Sequence, residues 1–104
     1  MESRYKVEIT VFGMYGADHV KIKKYLYEKG WADECSMPSP NTYFYSGTGG
    51  TLTTEQQFTE ELTKEIWDLI GHFALIEYRI ICLENMPYNQ YVLSGKDYKR
   101  MRRE

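Results

Sequence analysis

The chain has 104 residues, a net charge of −2 and two cysteines. This length favours one domain, large enough to fold without disulfides or a structural metal. Two cysteines are too few for a secreted disulfide scaffold, so we expect a reduced, cytoplasmic protein. We expect no signal peptide and no membrane span, because no apolar run has the length that either needs.

The first half of the chain predicts a strand, a helix and a hairpin. Residues 5–13 alternate between apolar and polar side chains, which is typical of a half-buried strand. Asp18 is placed to cap the helix that follows, and Gly30 is placed to end it. Residues 31–37 and 42–46 flank a proline-containing turn and predict the two arms of a hairpin.

A glycine-rich segment and a long amphipathic helix come next. Residues 47–51 read Gly-Thr-Gly-Gly-Thr and are predicted to form a loop. A threonine caps the helix after it, whose apolar side chains lie on one stripe for five turns. We expect Leu62, Ile66 and Leu69 of this stripe to be almost fully buried.

The C-terminal part of the domain predicts two strands, of which the first is apolar on both faces. Residues 74–83 form this strand, and residues 88–93 pair back on it. Leu75, Ile81 and Leu83 lie opposite the set that faces the helices. A strand that is apolar on two sides needs cover on both. Either the C-terminal segment or another chain is predicted to supply it.

The order of these elements predicts an α+β, ferredoxin-like β-α-β-β-α-β two-layer sandwich with an extra C-terminal strand. Its antiparallel sheet has the order 4-1-3-2, with two helices on one face. Residues 1–95 form the domain. Residues 96–104 are a basic tail with a charge of +3, against −5 for the rest of the chain. If this tail folds back as a short helix, Tyr98 and Met101 form its apolar side.

The ten tyrosines are the unusual feature of the composition. A small domain buries only some of these rings, and exposed aromatic side chains are common in protein-binding surfaces. The predicted binding residues lie on the strands after the first helix and at the end of the domain: Tyr43, Tyr45, Tyr88 and Tyr91.

The glycine-rich segment is also a candidate anion-binding loop. It precedes a helix N-terminus, where backbone N–H groups can bind phosphate or carboxylate. It lacks the lysine of a P-loop and the spacing of a dinucleotide fingerprint, so a plain connection is the competing interpretation. The residues concerned are Gly47, Thr48, Gly49, Gly50 and Thr51.

No arrangement of side chains in the sequence is typical of catalysis or metal binding. His19 and His72 are far apart, and neither has a metal-ligand partner at the usual spacing. Cys35 lies among acidic residues, which disfavour a reactive thiolate. The sequence therefore predicts a non-enzyme with no metal and no cofactor.

These observations favour a non-catalytic protein-binding module that also forms a homodimer. A small inhibitor or regulator, such as phages and other mobile elements direct against host systems, has this character. One alternative is a small-ligand or nucleotide sensor or enzyme that uses residues 47–50. Binding of single-stranded nucleic acid ranks third. Tyr43, Phe44 and Tyr45 lie on a suitable strand, and Phe12 could assist from the first strand. However, Glu8 lies on the face where RNA would bind, and the net charge disfavours nucleic acid.

Overall fold

The computed structural model describes residues 4–50, 54–83 and 88–101. Its elements, in chain order, are β1 (Arg4–Phe12), α1 (Gly16–Lys29), β2 (Glu34–Ser39), β3 (Thr42–Gly50), α2 (Glu55–Ile70), β4 (Leu75–Cys82), β5 (Tyr88–Leu93) and α3 (Gly95–Met101). The α+β class and the five-stranded antiparallel sheet are confirmed. No helix in these three ranges is long and apolar enough to cross a membrane.

The strands lie in the order β2-β3-β1-β4-β5, and every neighbouring pair is antiparallel. Counted from the β5 edge, the order is 5-4-1-3-2. The central strand β1 pairs along its length with β3 on one side and with β4 on the other. The alternation of apolar side chains in β1 explains this position, since a central strand can bury one complete face.

The two edges of the sheet differ in character. At one edge, every residue of β2 is exposed, the strand contains Pro38, and its register with β3 shifts between Ser36 and Ser39. A proline and a bulge are devices that keep an edge strand from pairing with another chain. At the other edge, β5 pairs with β4 over six consecutive residues and contains neither a charge nor a proline.

Helix α2 contributes the largest part of the helix layer to the core. Ile66 and Leu62 are buried as predicted, whereas the prediction for Leu69 was wrong, because that side chain is 40% exposed. The buried stripe of α2 instead includes Thr59 and Thr63, which are polar residues and were not expected in the apolar stripe. The Thr63 hydroxyl lies 2.7 Å from the buried hydroxyl of Tyr78, so its burial leaves no polar group unpaired.

Asp18 joins the start of α1 to the chain beyond α2. It is the third residue of the helix and caps it by accepting a hydrogen bond of 3.1 Å from the Tyr15 backbone N–H. The same carboxylate oxygen lies 2.9 Å from Nε2 of His72, whose Nδ1 lies 2.9 Å from the Phe73 carbonyl oxygen. An imidazole that donates from both nitrogens carries a positive charge. When it is protonated, His72 therefore forms an ion pair with Asp18.

The C-terminal segment forms α3, which packs beside α2. The centroid of the Tyr98 ring lies 5.0 Å from that of Trp67 and 5.6 Å from that of Phe73. Met101 also packs against the core. Arg100 forms an ion pair of 2.8 Å with Glu60 of α2. The predicted short helix with Tyr98 and Met101 on its inner side is thus present, on the helix side of the sheet. Residues 102–104 of the predicted tail lie outside the described part.

Candidate functional site

One face of the sheet is covered by helices, and the other carries no helix in the described residues. All three helices contribute to the core that contains Val7, Ile9 and Val11 of β1. Side chains directly opposite one another on neighbouring strands share a face, so the pairing defines the uncovered side. We call it the open face. Its side chains include Lys6, Glu8, Thr10, Phe12, Phe44, Leu75, Glu77, Arg79, Ile81, Tyr88, Gln90 and Val92.

The centre of the open face is a shallow depression of about 170 Å³ with a polar floor. Glu8 lies between two cations: its carboxylate oxygens are 3.7 Å from Arg79 Nη1 and 3.9 Å from Lys6 Nζ. Glu77 and Phe44 also line the depression. The Arg79 side chain is about half exposed, so these ion pairs stabilise the fold little and are available to a partner.

Apolar side chains of β4 and β5 lie beside this polar centre. Tyr88 is 55% exposed and Val92 is 47% exposed. The Arg79 guanidinium lies over the Tyr88 ring, 4.9 Å from its centroid, which holds both side chains in a fixed relation. Leu75 and Ile81 are half-buried on the same face, where the sequence places them. Aromatic, aliphatic and arginine side chains around a few polar groups are typical of a protein-binding surface.

Tyr43 and Tyr45, two of the four predicted binding residues, are buried on the helix side. Tyr45 pairs with Ile9 and Tyr43 with Val11, so both rings enter the core. The Tyr45 hydroxyl lies 2.6 Å from Nδ1 of His19, and the imidazole stacks on the Tyr43 ring at a centroid distance of 4.4 Å. Neither tyrosine therefore belongs to the open face. Phe44, between them, takes the accessible position.

The other two predicted tyrosines lie on opposite faces of β5. Tyr88 belongs to the open face. Tyr91 is half-buried on the helix side, where its hydroxyl donates a hydrogen bond of 3.1 Å to Glu55. Burial and this carboxylate raise the pKa of Tyr91, so it stays a neutral donor. Of the four predicted tyrosines, only Tyr88 is both exposed and on the open face.

The prediction of a loop over residues 47–51 was wrong for its first four residues. Gly47 to Gly50 continue β3 and pair with β1, while Thr51 lies outside the described residues. The glycines allow close packing. A Cβ atom on Gly47 would lie 2.4 Å from the carbonyl oxygen of Gly30, and one on Gly49 would lie 2.9 Å from Cη2 of Trp31. Packing against Trp31 thus explains the motif that suggested an anion-binding loop.

The remaining titratable side chains form no metal site in the described residues. No group of three or more histidine, cysteine or acidic residues could hold an ion there. Cys35 is exposed and Cys82 is half-buried, and neither is in a disulfide. Burial, together with the nearby cation Lys23, lowers the pKa of His19, which favours the neutral ring that can accept from the Tyr45 hydroxyl.

Comparison with protein-family models, curated proteins and solved structures found no match for this chain. The functional proposal therefore rests on the geometry of the open face.

Proposed function

We propose that this chain is a non-catalytic protein-binding module, of the inhibitor or regulator type, that docks through the open face of its sheet. The observation that carries the proposal is the uncovered face itself. Its polar centre with Glu8 and Arg79 is flanked by the exposed side chains of Tyr88 and Val92. Exposed aromatic and aliphatic side chains beside an arginine are common where a protein binds a partner.

Two features favour a protein over the alternatives. The central charges alternate in sign, with Glu8 and Glu77 against Lys6 and Arg79, which suits the mixed charges of a protein surface and provides no net positive charge for a phosphate backbone. The glycine-rich segment, on which a nucleotide sensor or enzyme would depend, is largely paired in the sheet.

We also propose the ferredoxin-like assignment for the fold. It is supported by the sheet order counted from β5, by the antiparallel neighbours, and by α1 and α2 sharing one face. In this assignment β5 and α3 are additions at the C-terminal end of the motif.

A second copy of the chain is the partner we propose for the β5 edge. The segment Tyr88–Leu93 is regular, uncharged and without proline, and it ends the sheet. The outward backbone N–H and C=O groups of such an edge can pair with the same strand of another copy around a twofold axis. Homodimerisation by this route leaves the centre of the open face accessible to a different partner.

The open-face proposal is tested with two charge-reversal variants of equal size. A partner is first captured on immobilised wild-type protein and purified, and its affinity is then measured by calorimetry. Arg79→Glu reverses the central cation of the open face, and we expect it to weaken binding at least about tenfold, as loss of an interface arginine does. Lys24→Glu makes the same change on the exposed side of α1, and we expect less than a twofold effect.

Equal affinities of the two variants would contradict docking through the open face. Retention of nucleic acid alone, removed by nuclease treatment, would replace the proposal with single-stranded nucleic acid binding. Stabilisation by a nucleotide without a protein partner would favour the sensor interpretation.

A further inference from the structure

A small pocket lies between α1 and α2, on the side of the sheet opposite the open face. Three aromatic side chains form its walls: Tyr25 of α1, Trp31 after α1, and Phe58 of α2. The rings of Trp31 and Phe58 meet edge to face, with centroids 5.3 Å apart and planes inclined at 70°. Two inclined rings and a third beside them form a corner that presents aromatic faces and edges to one small group.

The pocket has acidic residues at its margin. Glu61 and Glu65 of α2 line it, and both residues are exposed. The Glu65 carboxylate is hydrogen-bonded to the hydroxyl of Tyr25, and the Glu61 carboxylate accepts a bond of 3.1 Å from the Gln57 amide. These bonds hold the two negative charges beside the rings. The pocket thus combines aromatic faces with fixed carboxylates, and both attract a cation.

The chain itself already places one cation against these rings. Lys29, at the end of α1, also lines the pocket, and its Nζ lies 5.6 Å from the centroid of Tyr25. One lysine against two glutamates leaves the pocket with a net charge of −1. Lys29 is exposed and lines the margin of the pocket, so a second cation can displace it or bind beside it.

The size of the pocket limits what it can hold. Its volume is about 180 Å³, below the roughly 300–1,000 Å³ of pockets that enclose whole small-molecule ligands. A single side chain with a charged end suits this volume. Trp31 is fixed in place because Gly30 ends α1 in the left-handed conformation and the indole packs against Gly49. The aromatic wall is therefore formed before any ligand arrives.

We infer that this pocket binds the cationic end of an arginine or lysine side chain presented by a partner protein. Three rings, two carboxylates and the internal cation together favour such a side chain. The pocket is separate from the open face, which lies on the other side of the sheet. A partner can therefore anchor one basic side chain between the helices whether or not it touches β4 and β5.

The test uses the two indole N–H signals of the ¹⁵N-labelled full chain. Trp31 reports on the pocket. Trp67, whose indole donates to the Ala74 carbonyl in the core, is the internal control. The probes are the N-acetyl methylamides of arginine, lysine and norleucine, the last being an uncharged side chain of similar length. We expect saturable shifts of the Trp31 signal with arginine and lysine, none with norleucine, and no movement of Trp67.

Two variants and a control link the signal to the charges. Glu65→Gln removes a carboxylate with little change of shape, and we expect roughly two- to fivefold weaker binding of the arginine probe. Lys29→Met removes the internal cation, and we expect binding to tighten by a similar factor. Glu77→Gln, the control, removes a carboxylate from the open face instead and should leave the affinity for the arginine probe unchanged.

Several results would overturn the inference. An equal response to norleucine would show an apolar pocket with no cation preference. Joint movement of Trp31 and Trp67 would show a general effect on the fold. Equal affinities of wild type, Glu65→Gln and Lys29→Met would show that the charges play no part. None of these results bears on the open face, whose variant Arg79→Glu should bind the arginine probe as the wild type does.

Discussion

Adding one methyl group to the glycine-rich end of β3 should destabilise the protein by an amount that depends on what the methyl group meets. On Gly49, the new Cβ would lie 2.9 Å from Cη2 and 3.3 Å from Cζ3 of Trp31, against an ordinary carbon contact of about 3.5–4.0 Å. The ring can shift by part of this difference. We therefore expect Gly49→Ala to lower the free energy of unfolding by about 1–3 kcal/mol, the usual cost of overpacking.

The neighbouring position should be more sensitive, because its contacts are backbone atoms. A Cβ on Gly47 would lie 2.4 Å from the Gly30 carbonyl oxygen and 2.6 Å from the Trp31 Cα. Neither atom can rotate away, so the strand and the end of α1 must separate. We expect Gly47→Ala to cost more than about 3 kcal/mol, beyond the usual range for one added methyl group.

Gly95, at the start of α3, is the matched control. Nothing lies within 4 Å of a Cβ built there, so Gly95→Ala should be neutral or stabilising by up to about 1 kcal/mol. Urea unfolding of the four proteins, followed by tryptophan fluorescence, measures the series. A loss below about 0.5 kcal/mol for Gly49→Ala, the size of an ordinary surface substitution, would show that Trp31 does not pack on β3. It would also restore the interpretation of this segment as a loop.

Four further outcomes are expected. Ile66→Ala should lower the free energy of unfolding by about 2–5 kcal/mol in urea, because the side chain is fully buried; a loss below about 0.5 kcal/mol would place it outside the core. The Asp18 hydrogen bond raises the pKa of His72. Burial acts to raise the pKa of Asp18, but the bonds from His72 and the Tyr15 N–H outweigh it and lower that pKa. His72→Gln should remove less than about 1 kcal/mol of stabilisation, because the pair is partly exposed. This loss of stability should be largest between about pH 4 and 6.5. It should fade above that window as His72 loses its proton and below it as Asp18 gains one, and a difference independent of pH would exclude the ion pair. Phosphate and nucleotides should not raise the melting temperature, and a saturable rise would contradict the packing role of the glycines. Light scattering at micromolar concentration should give twice the chain mass, reduced to one by Val92→Lys on the β5 edge; a monomer mass for the wild type would exclude the dimer.

The fold was predictable where each residue type serves one role. Tyr88–Leu93 was predicted with the bounds that β5 has, because β-branched and aromatic residues follow a clear turn. Gly47 to Gly50 were misread because a glycine that permits close packing looks the same in sequence as one that permits a turn. Only the neighbour across the contact, Trp31, tells the two apart, and it is distant in the chain.

The binding surface was harder to predict than the fold. Tyr43 and Tyr45 were chosen by residue type, whereas their burial is set by the register of β3 on β1, which pairs Tyr45 with Ile9. A shift of one residue would have exposed both rings and buried Phe44. The buried threonine Thr63 was missed for a related reason, since its hydrogen-bond partner, Tyr78, lies on another element.

The contrast between the two edges also determines how far an assembly of this chain could grow. Two copies joined through β5 would present β2 at both outer ends of the continuous sheet. Because Pro38 and the break in register discourage further pairing there, such an assembly would close at two copies instead of extending into a fibre. Pro38 would thus act as a terminator, and its replacement by a β-branched residue would give the sheet a second end from which to polymerise.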